Sequence, residues 1–235
     1  MTAPILITGG AQRLGLAIAK DLLRQNIPVI ITYRSEKPSV TELIASGAHA
    51  IHADFATKKG VDACINKVRE HTQSLRAIVH NASDWDQESG SDDYDALFNK
   101  MMQVHAKTPY RINLALQELL NQPSGFTDII HMTDFVQDKG SKKHIAYAAS
   151  KAALHNLTLS FSALLAPKVK VNSVAPALVM FNEGDSEEYR AKALQKSLLQ
   201  TCPGSSEAVK AVNYLLNSEY ITGQTLHLNG GRHLK

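Results

Sequence analysis

A tyrosine and a lysine four residues apart, Tyr147 and Lys151, have the types and the spacing that proton transfer requires. The apolar residues of the following segment, 152–159, recur at helical spacing, so both side chains are expected on one helix face. An ammonium beside a phenol favours the phenolate, and Lys151 is therefore predicted to lower the pKa of Tyr147 from about 10. Such a tyrosine can act as a general acid. An ordinary pair on a helix surface has the same spacing, so the choice depends on the rest of the chain.

Composition sets the class of protein. The chain has 235 residues, of which 44% are hydrophobic and 20% charged, as in a globular protein with a sizeable core. The net charge is +3, and the short basic cluster 139–143 has no interleaved aromatic residues, so no nucleic-acid partner is expected. The ten histidines include no His-Glu-x-x-His or similar metal-binding spacing, which predicts no metal site.

The same features predict a cytoplasmic enzyme or binding protein. No apolar run reaches the length of a membrane span, and the first residues lack the basic segment of a signal peptide. Cys64 and Cys202 lie far apart and form no Cys-x-x-Cys motif, which is typical of free thiols in a reducing compartment.

The first 35 residues have the pattern of a nucleotide-binding unit. An apolar strand at 4–8 leads into a glycine-rich turn, 9–15, and then into a helix at 16–24. Glycines in such a turn let a phosphate approach the free N–H groups of the helix. A second strand, 28–33, ends in Arg34 and Ser35 rather than in an acidic residue. With Arg13 in the turn, Arg34 favours NADPH, whose 2′-phosphate needs a basic partner.

Strands and helices alternate along the whole chain. This predicts one α/β domain over residues 1–235, of the doubly wound Rossmann type, with a seven-stranded parallel sheet. The expected strands are 4–8, 28–33, 48–53, 77–80, 128–132, 169–175 and 223–230, and the expected helices are 16–24, 57–72, 94–121, 147–165 and 206–217. Residues 176–203 lack a strand and contain a short polar helix, which suggests a flap over the substrate site. Polar and special residues at the strand carboxyl ends are expected in one crevice: Thr8, Arg34, Asp54, Asn81, Asp134 and Pro176.

In their order and spacing, these motifs resemble the short-chain dehydrogenase/reductase family from end to end. The resemblance implies that Lys151 also holds the nicotinamide ribose, that Asp54 faces the adenine and that Asn81 with Ala82 lies along the adenosine ribose. It also implies a homotetramer, which in this family commonly forms through the fourth and fifth helices. The cofactor contacts that it implies are Gly9, Arg13, Leu14, Gly15, Arg34, Ser35, Asp54, Phe55, Asn81, Ala82, Ser83, Lys151, Pro176 and Leu178.

Two departures from the common family pattern narrow the chemistry. Arg13 stands where most members have a third glycine, and Asp134 stands thirteen residues before Tyr147, where most have a serine. At both positions the chain resembles the pteridine reductases. This resemblance implies a pterin substrate, with contacts from Arg13, Ser83, Trp85, Asp134 and Tyr147. Asp134 would either donate a proton to a ring nitrogen or anchor the substrate.

Two further residues keep two interpretations each. Trp85 matches the aromatic position that stacks the pterin, but it could also be an ordinary core or loop anchor. His105 stands where the family usually has an asparagine of the proton relay, and it could equally be a satisfied core histidine.

The sequence therefore predicts NADPH-dependent reduction of a dihydropterin of the dihydromonapterin type, with dihydrofolate as a second substrate. Tyr147, Lys151 and Asp134 are the expected catalytic residues. Two alternatives remain: a general ketone reductase of the same fold, and a non-catalytic NADP(H)-binding sensor.

Overall fold

The computed structural model describes residues 2–235, in which helices cover both faces of one parallel sheet. The strands are β1 Ile5–Thr8, β2 Val29–Tyr33, β3 His49–His52, β4 Ala77–His80, β5 Thr127–Met132, β6 Val169–Pro176 and β7 Thr225–Leu228. The helices are α1 Arg13–Arg24, α2 Pro38–Ala45, α3 Lys58–His71, α4 Tyr94–Met102, α5 Thr108–Asn121, α6 Val136–Lys139, α7 Ile145–Leu165, α8 Glu187–Leu194 and α9 Ser205–Asn217.

The strand order is β3-β2-β1-β4-β5-β6-β7, and all pairs are parallel. The order reverses between β1 and β4, which is where a doubly wound sheet opens a crevice at its carboxyl edge. The predicted fold class and the predicted seven-stranded parallel sheet are confirmed. Among residues 2–235, no helix has the length and apolar character needed to cross a bilayer.

Two apolar layers hold the sheet between its helices. One layer joins the sheet to α1 and α9 through residues such as Ile18 and Leu215. The other joins it to α3, α5 and α7 through residues such as Val68, Ile112 and Phe161. Both faces of β1 are therefore covered, and its residues Ile5, Leu6 and Ile7 are almost completely buried. This explains the continuous apolar runs of the strands, since strands covered on both faces have no solvent side.

The structure differs from the predicted elements in three places. Helices α2 and α6 were not predicted, because eight-residue and four-residue segments carry too few helical repeats to show a period. The predicted helix 94–121 contains a π-helical turn, Gln103–Lys107. Pro109 follows this turn and has no N–H to donate to the carbonyl of His105, so the regular hydrogen-bond ladder is interrupted there.

Candidate active site

Asp134 and Tyr147 meet at the carboxyl end of β5. Asp134 lies two residues beyond β5, and Tyr147 lies in the first turn of α7. The Tyr147 hydroxyl donates a hydrogen bond of 2.9 Å to Asp134 Oδ2. The other carboxylate oxygen, Oδ1, accepts a hydrogen bond of 2.9 Å from the Val136 N–H and so starts α6. Asp134 thus caps the loop after β5 and also contacts Tyr147, so the structure shows both of the contacts between which the sequence could not decide.

Lys151 lies beneath this pair. Its side chain is 3% exposed, and Nζ donates to the Met132 carbonyl at 2.9 Å. Nζ lies 5.6 Å from the centre of the Tyr147 ring, so the two predicted helix neighbours are close in space. Burial lowers the pKa of Lys151 to about 8, although the negative charge of Asp134 acts to raise it.

The prediction that Lys151 lowers the pKa of Tyr147 below its usual value is wrong. Burial, followed by the charge of Asp134 and its hydrogen bond, raises the pKa of Tyr147 well above 10. The nearest partner of the phenol is a carboxylate that accepts its proton, so the phenolate would face a like charge. Burial also raises the pKa of Asp134, while the Val136 N–H and Lys151 act in the opposite direction. Tyr147 therefore keeps its proton and presents it to Asp134.

His105 connects the π-helical turn to this cluster. It is 1% exposed, and its Nε2 lies 2.9 Å from Ser83 Oγ and accepts from the Asp84 N–H at 3.2 Å. Because Nε2 is an acceptor, Nδ1 carries the proton and donates to Ser150 Oγ at 2.8 Å. Ser150 in turn donates to the Tyr147 carbonyl at 2.7 Å. Burial lowers the pKa of His105 well below its usual value, so the ring is neutral.

Trp85 lies on the loop after β4. Its side chain is 64% exposed, and its ring meets His144 edge-on at 5.0 Å. In the same loop, Glu88 accepts a hydrogen bond from the Ala146 N–H at 2.8 Å and so caps α7. The loop with the tryptophan is therefore tied to the start of the helix that carries Tyr147. The predicted pterin stack stays a prediction.

The turn after β1 has the close packing that a dinucleotide site needs. A Cβ atom on Gly15 would lie 2.4 Å from both the Gly9 carbonyl and Asn81 Nδ2, and a Cβ on Gly9 would lie 2.8 Å from Ala82 Cα. Asn81 fixes the turn by donating to the Gly9 carbonyl at 2.9 Å. The residue before α1, Gln12, makes no capping hydrogen bond with its side chain. The first N–H groups of α1 are thus available to a phosphate.

Basic side chains flank this turn. Arg13 has a left-handed backbone with φ of 50°, and its Nη1 donates to Asn182 Oδ1 in the flap at 2.6 Å. Arg34 follows β2, with a side chain that is 59% exposed, and its Nη1 lies 2.9 Å from Asp84 Oδ2. Ser35 beside it is exposed. Both arginines therefore place positive charge beside the glycine-rich turn at the carboxyl edge of the sheet, and their contacts with NADPH stay a prediction.

The remaining predicted cofactor residues lie along the same edge of the sheet. Asp54 follows β3 by two residues and accepts from the Ala56 N–H at 3.1 Å, while Phe55 beside it is buried. Pro176 ends β6, and its carbonyl accepts from the Phe135 N–H at 2.9 Å. Leu14 is half-buried at the start of α1. The predicted convergence of the strand ends is confirmed.

The predicted flap, residues 176–203, contains α8 and borders a cavity of about 190 Å³ that opens onto Asp134. Asp134, Ala177, Leu178, Tyr189, Ala193, Lys196 and Arg232 line this cavity. Three residues near the site were not predicted from the sequence: Lys196, Asn182 and Arg232. Basic and amide residues in a flap and after a final strand have no distinctive spacing, and only the fold brings them to the site.

Within the described part of the chain, residues 2–235, no group of three or more His, Cys, Asp and Glu side chains could hold a metal ion. Cys64 is buried in α3, where burial raises its pKa to about 12. This thiol is thus protonated and points into the core rather than into the site.

Comparison with known proteins gives a consistent family. Residues 9–233 match the family model described as enoyl-(acyl carrier protein) reductase, which belongs to the short-chain dehydrogenases/reductases. The chain is 52% identical to dihydromonapterin reductase of Citrobacter koseri over 233 residues, which covers 99% of this chain and 97% of that one. Dihydromonapterin reductase of Escherichia coli O6:K15:H31 matches with the same identity and coverage.

A solved structure agrees with this comparison. The FolM alternative dihydrofolate reductase 1 from Brucella canis, complexed with NADP, superimposes with a TM-score of 0.86 at 29% identity. The alignment covers 99% of this chain and 95% of the Brucella protein. The likeness therefore extends over the sheet, the flap and the strand-end crevice together.

Proposed function

Because the chain belongs to the short-chain dehydrogenase/reductase family, we propose that it is an NADPH-dependent reductase of dihydropterins. The observation that carries the proposal is the hydrogen bond from Tyr147 to Asp134 beside Lys151. A carboxyl group in place of the usual serine suits a ring nitrogen better than a ketone oxygen, because it can donate a proton or hold an N–H. The resemblance to dihydromonapterin reductases over nearly the whole chain supports the same substrate class.

The chain has the features that an NADPH site requires. The available N–H groups at the start of α1 and the guanidinium of Arg13 would hold the pyrophosphate, and Arg34 the 2′-phosphate. Gly9 and Gly15 allow the turn to pack closely against Ala82 and Asn81, and Lys151 would hold the nicotinamide ribose. When bound, NADPH supplies a hydride. The further residues that we assign to the cofactor are Leu14, Ser35, Asp54, Phe55, Asn81, Ala82, Ser83, Pro176 and Leu178.

The proton comes from the chain. We assign Tyr147 and Asp134 to deliver it to N5 of the pterin, while C6 accepts the hydride. Since burial keeps the Tyr147 phenol protonated, the pair holds at least one proton at any neutral pH. Lys151 keeps a positive charge beneath the pair below a pH of about 8, and this charge stabilises the Asp134 carboxylate that remains when the pair delivers a proton.

Substrate binding would use the residues around this pair. Trp85 is exposed, so its ring can cover a flat pterin, and an offset aromatic stack contributes about 0.5–1.5 kcal/mol beyond area burial. Arg13, already held against the flap by Asn182, and Ser83, held by His105, would contact the edge of the pterin.

The direct test is NADPH oxidation with dihydromonapterin, dihydrobiopterin and dihydrofolate, compared with a panel of small ketones. We expect at least one dihydropterin to exceed every ketone in kcat/KM. A ketone that is reduced faster than all dihydropterins would identify a general carbonyl reductase. If bound NADPH is oxidised by none of these compounds, the chain is a sensor rather than an enzyme.

A homotetramer and a cytoplasmic location stay predictions of the sequence. The first can be checked by light scattering after size-exclusion chromatography, and a monomer would contradict it. The second can be checked by cell fractionation.

A further inference from the structure

Two cationic side chains, Lys196 and Arg232, stand where two cavities meet. Both line the cavity of about 190 Å³ onto which Asp134 opens. Both also line a larger neighbouring cavity of about 280 Å³, which extends under the flap toward Asn229 and Gly230. Lys196 follows α8, and Arg232 follows β7, so two distant segments bring these charges together.

Neither side chain forms an ion pair with the described part of the protein, although the Arg232 charge is near enough to Asp134 to act to lower the pKa of that carboxyl. Within residues 2–235, every ion pair closer than 4.0 Å involves other side chains. The Arg232 guanidinium lies 4.8 Å from the centre of the Phe135 ring, a cation–π contact that holds its plane. A guanidinium fixed in this way can pair with a carboxylate or phosphate through two parallel hydrogen bonds.

Between Asp134 and these cations, the other residues that line the smaller cavity are apolar or aromatic: Ala177, Leu178, Tyr189 and Ala193. Leu178 also borders the larger cavity, where Leu199 and Pro203 add apolar surface. The acidic member of the larger cavity, Glu207, is paired with Lys210 at 2.7 Å, which reduces its repulsion of an anion. An apolar passage that leads from Asp134 to two unpaired cations suits a substituent with an anionic end.

We propose that Lys196 and Arg232 bind an anionic group at the end of the substituent on pterin C6. The proposal rests on the proposed function, because the pterin ring must occupy the Asp134 side of the smaller cavity. A dihydropterin whose tail carries carboxylates, such as dihydrofolate, or a phosphate ester would use both cations. The trihydroxypropyl tail of dihydromonapterin carries no charge, so it would form no ion pair with either cation.

The test compares kcat/KM at saturating NADPH for dihydromonapterin, its phosphate monoester and dihydrofolate. The enzymes are the wild type, Lys196→Gln, Arg232→Gln and the double variant. On each enzyme the value for an anionic substrate is divided by the value for dihydromonapterin, so losses in folding or NADPH binding cancel. We expect this ratio to fall about tenfold in each single variant and further in the double variant.

A matched control is Lys192→Gln, because Lys192 lies on α8 but pairs with Glu188 at 2.6 Å and lines neither cavity. This variant should keep the wild-type ratio. Raising NaCl from about 50 to 500 mM should lower the ratio in the wild type but not in the double variant.

A ratio that falls only for dihydrofolate identifies a carboxylate tail, and one that falls only for the monoester identifies a phosphate. Ratios within twofold of the wild type for both substrates in the double variant would overturn this subsite. That outcome differs from failure of the proposed function, in which the wild type would reduce none of the three compounds.

Discussion

The two ends of β5 carry two aspartates with opposite surroundings. Asp128, the second residue of the strand, is 1% exposed and pairs with Arg76 through one oxygen and with Lys170 through the other. Asp134, two residues past the end of the same strand, faces a cavity. Its carboxylate has a single backbone donor and the Tyr147 hydroxyl as partners.

The difference separates a carboxylate that stabilises the fold from one that we propose to be reactive. Both oxygens of Asp128 are held by full charges, and Lys170 is fixed further by the Leu215 carbonyl at 3.1 Å, so the group has no place for a ligand. Asp134 shares a proton with a neighbour and borders space that a substrate can enter. Ligands of doubly wound sheets bind at the carboxyl ends of the strands, which is the end that Asp134 occupies.

The largest expected effect concerns the Tyr147 hydroxyl proton at the Asp134 end of β5. Tyr147→Phe removes the proton donor, so kcat for a dihydropterin should fall about a thousandfold. NADPH affinity, measured by fluorescence titration, should change less than threefold. Tyr110→Phe is a matched control, because Tyr110 is half-exposed on α5 and should leave kcat unchanged. A Tyr147→Phe enzyme within tenfold of the wild type would show that the proton comes from elsewhere.

At the Asp128 end of β5, we expect a mutation to change the stability of the fold rather than the activity. Asp128→Asn leaves Arg76 and Lys170 without their counter-charge, and the free energy of unfolding in urea should fall by about 3–5 kcal/mol. Asp62→Asn breaks the more exposed pair with Arg111 and should cost no more than about 1 kcal/mol. At a temperature where Asp128→Asn is folded, its kcat should match the wild type. A large loss of kcat in the folded variant would remove the distinction between the two ends.

The pH dependence of kcat should report Lys151. Its pKa is about 8, so the ammonium is present below that pH and is lost as the pH rises through it. We expect kcat to fall about tenfold for each pH unit above 8. Tyr147, with a pKa well above 10, keeps its proton over this range and does not produce the decline. A kcat that is flat to pH 10 would contradict the assigned role of Lys151.

The smallest expected effect concerns His105. His105→Leu removes the acceptor of Ser83 and the donor to Ser150, so kcat/KM should fall about tenfold, chiefly through KM. His105→Gln, which keeps a donor and an acceptor, should recover most of this loss. If both variants lose kcat equally, the imidazole itself transfers protons, as the relay interpretation requires.

Much of the fold could be predicted from the sequence, because strands buried on both faces leave continuous apolar runs. These runs also show where each strand ends, so the meeting of Arg34, Asn81 and Asp134 at one edge of the sheet could be predicted as well. The direction of the Tyr147 pKa could not be predicted, because spacing along α7 shows Lys151 but not how deeply the phenol is buried or which group accepts its proton.

Other parts of the site depend on contacts between distant segments. Arg13 donates to Asn182 in the flap, and Lys196 and Arg232 line the same cavity. The members of each pair are too far apart in sequence for a helical or strand repeat to predict that they come together. The π-helical turn at His105 has a local signal in Pro109, but a proline near the middle of an apolar helical pattern predicts a break or a kink rather than this turn.

The most direct test of the account is the substrate preference of Asp134→Ser. The measurement is the ratio of kcat/KM for dihydromonapterin to kcat/KM for cyclohexanone, in the wild type and in the variant. A serine restores a hydroxyl donor for a ketone oxygen and removes the carboxyl that serves the pterin nitrogen, so the ratio should fall at least about a hundredfold. A ratio that stays within threefold of the wild type would contradict the claim that Asp134 makes this chain a pterin reductase.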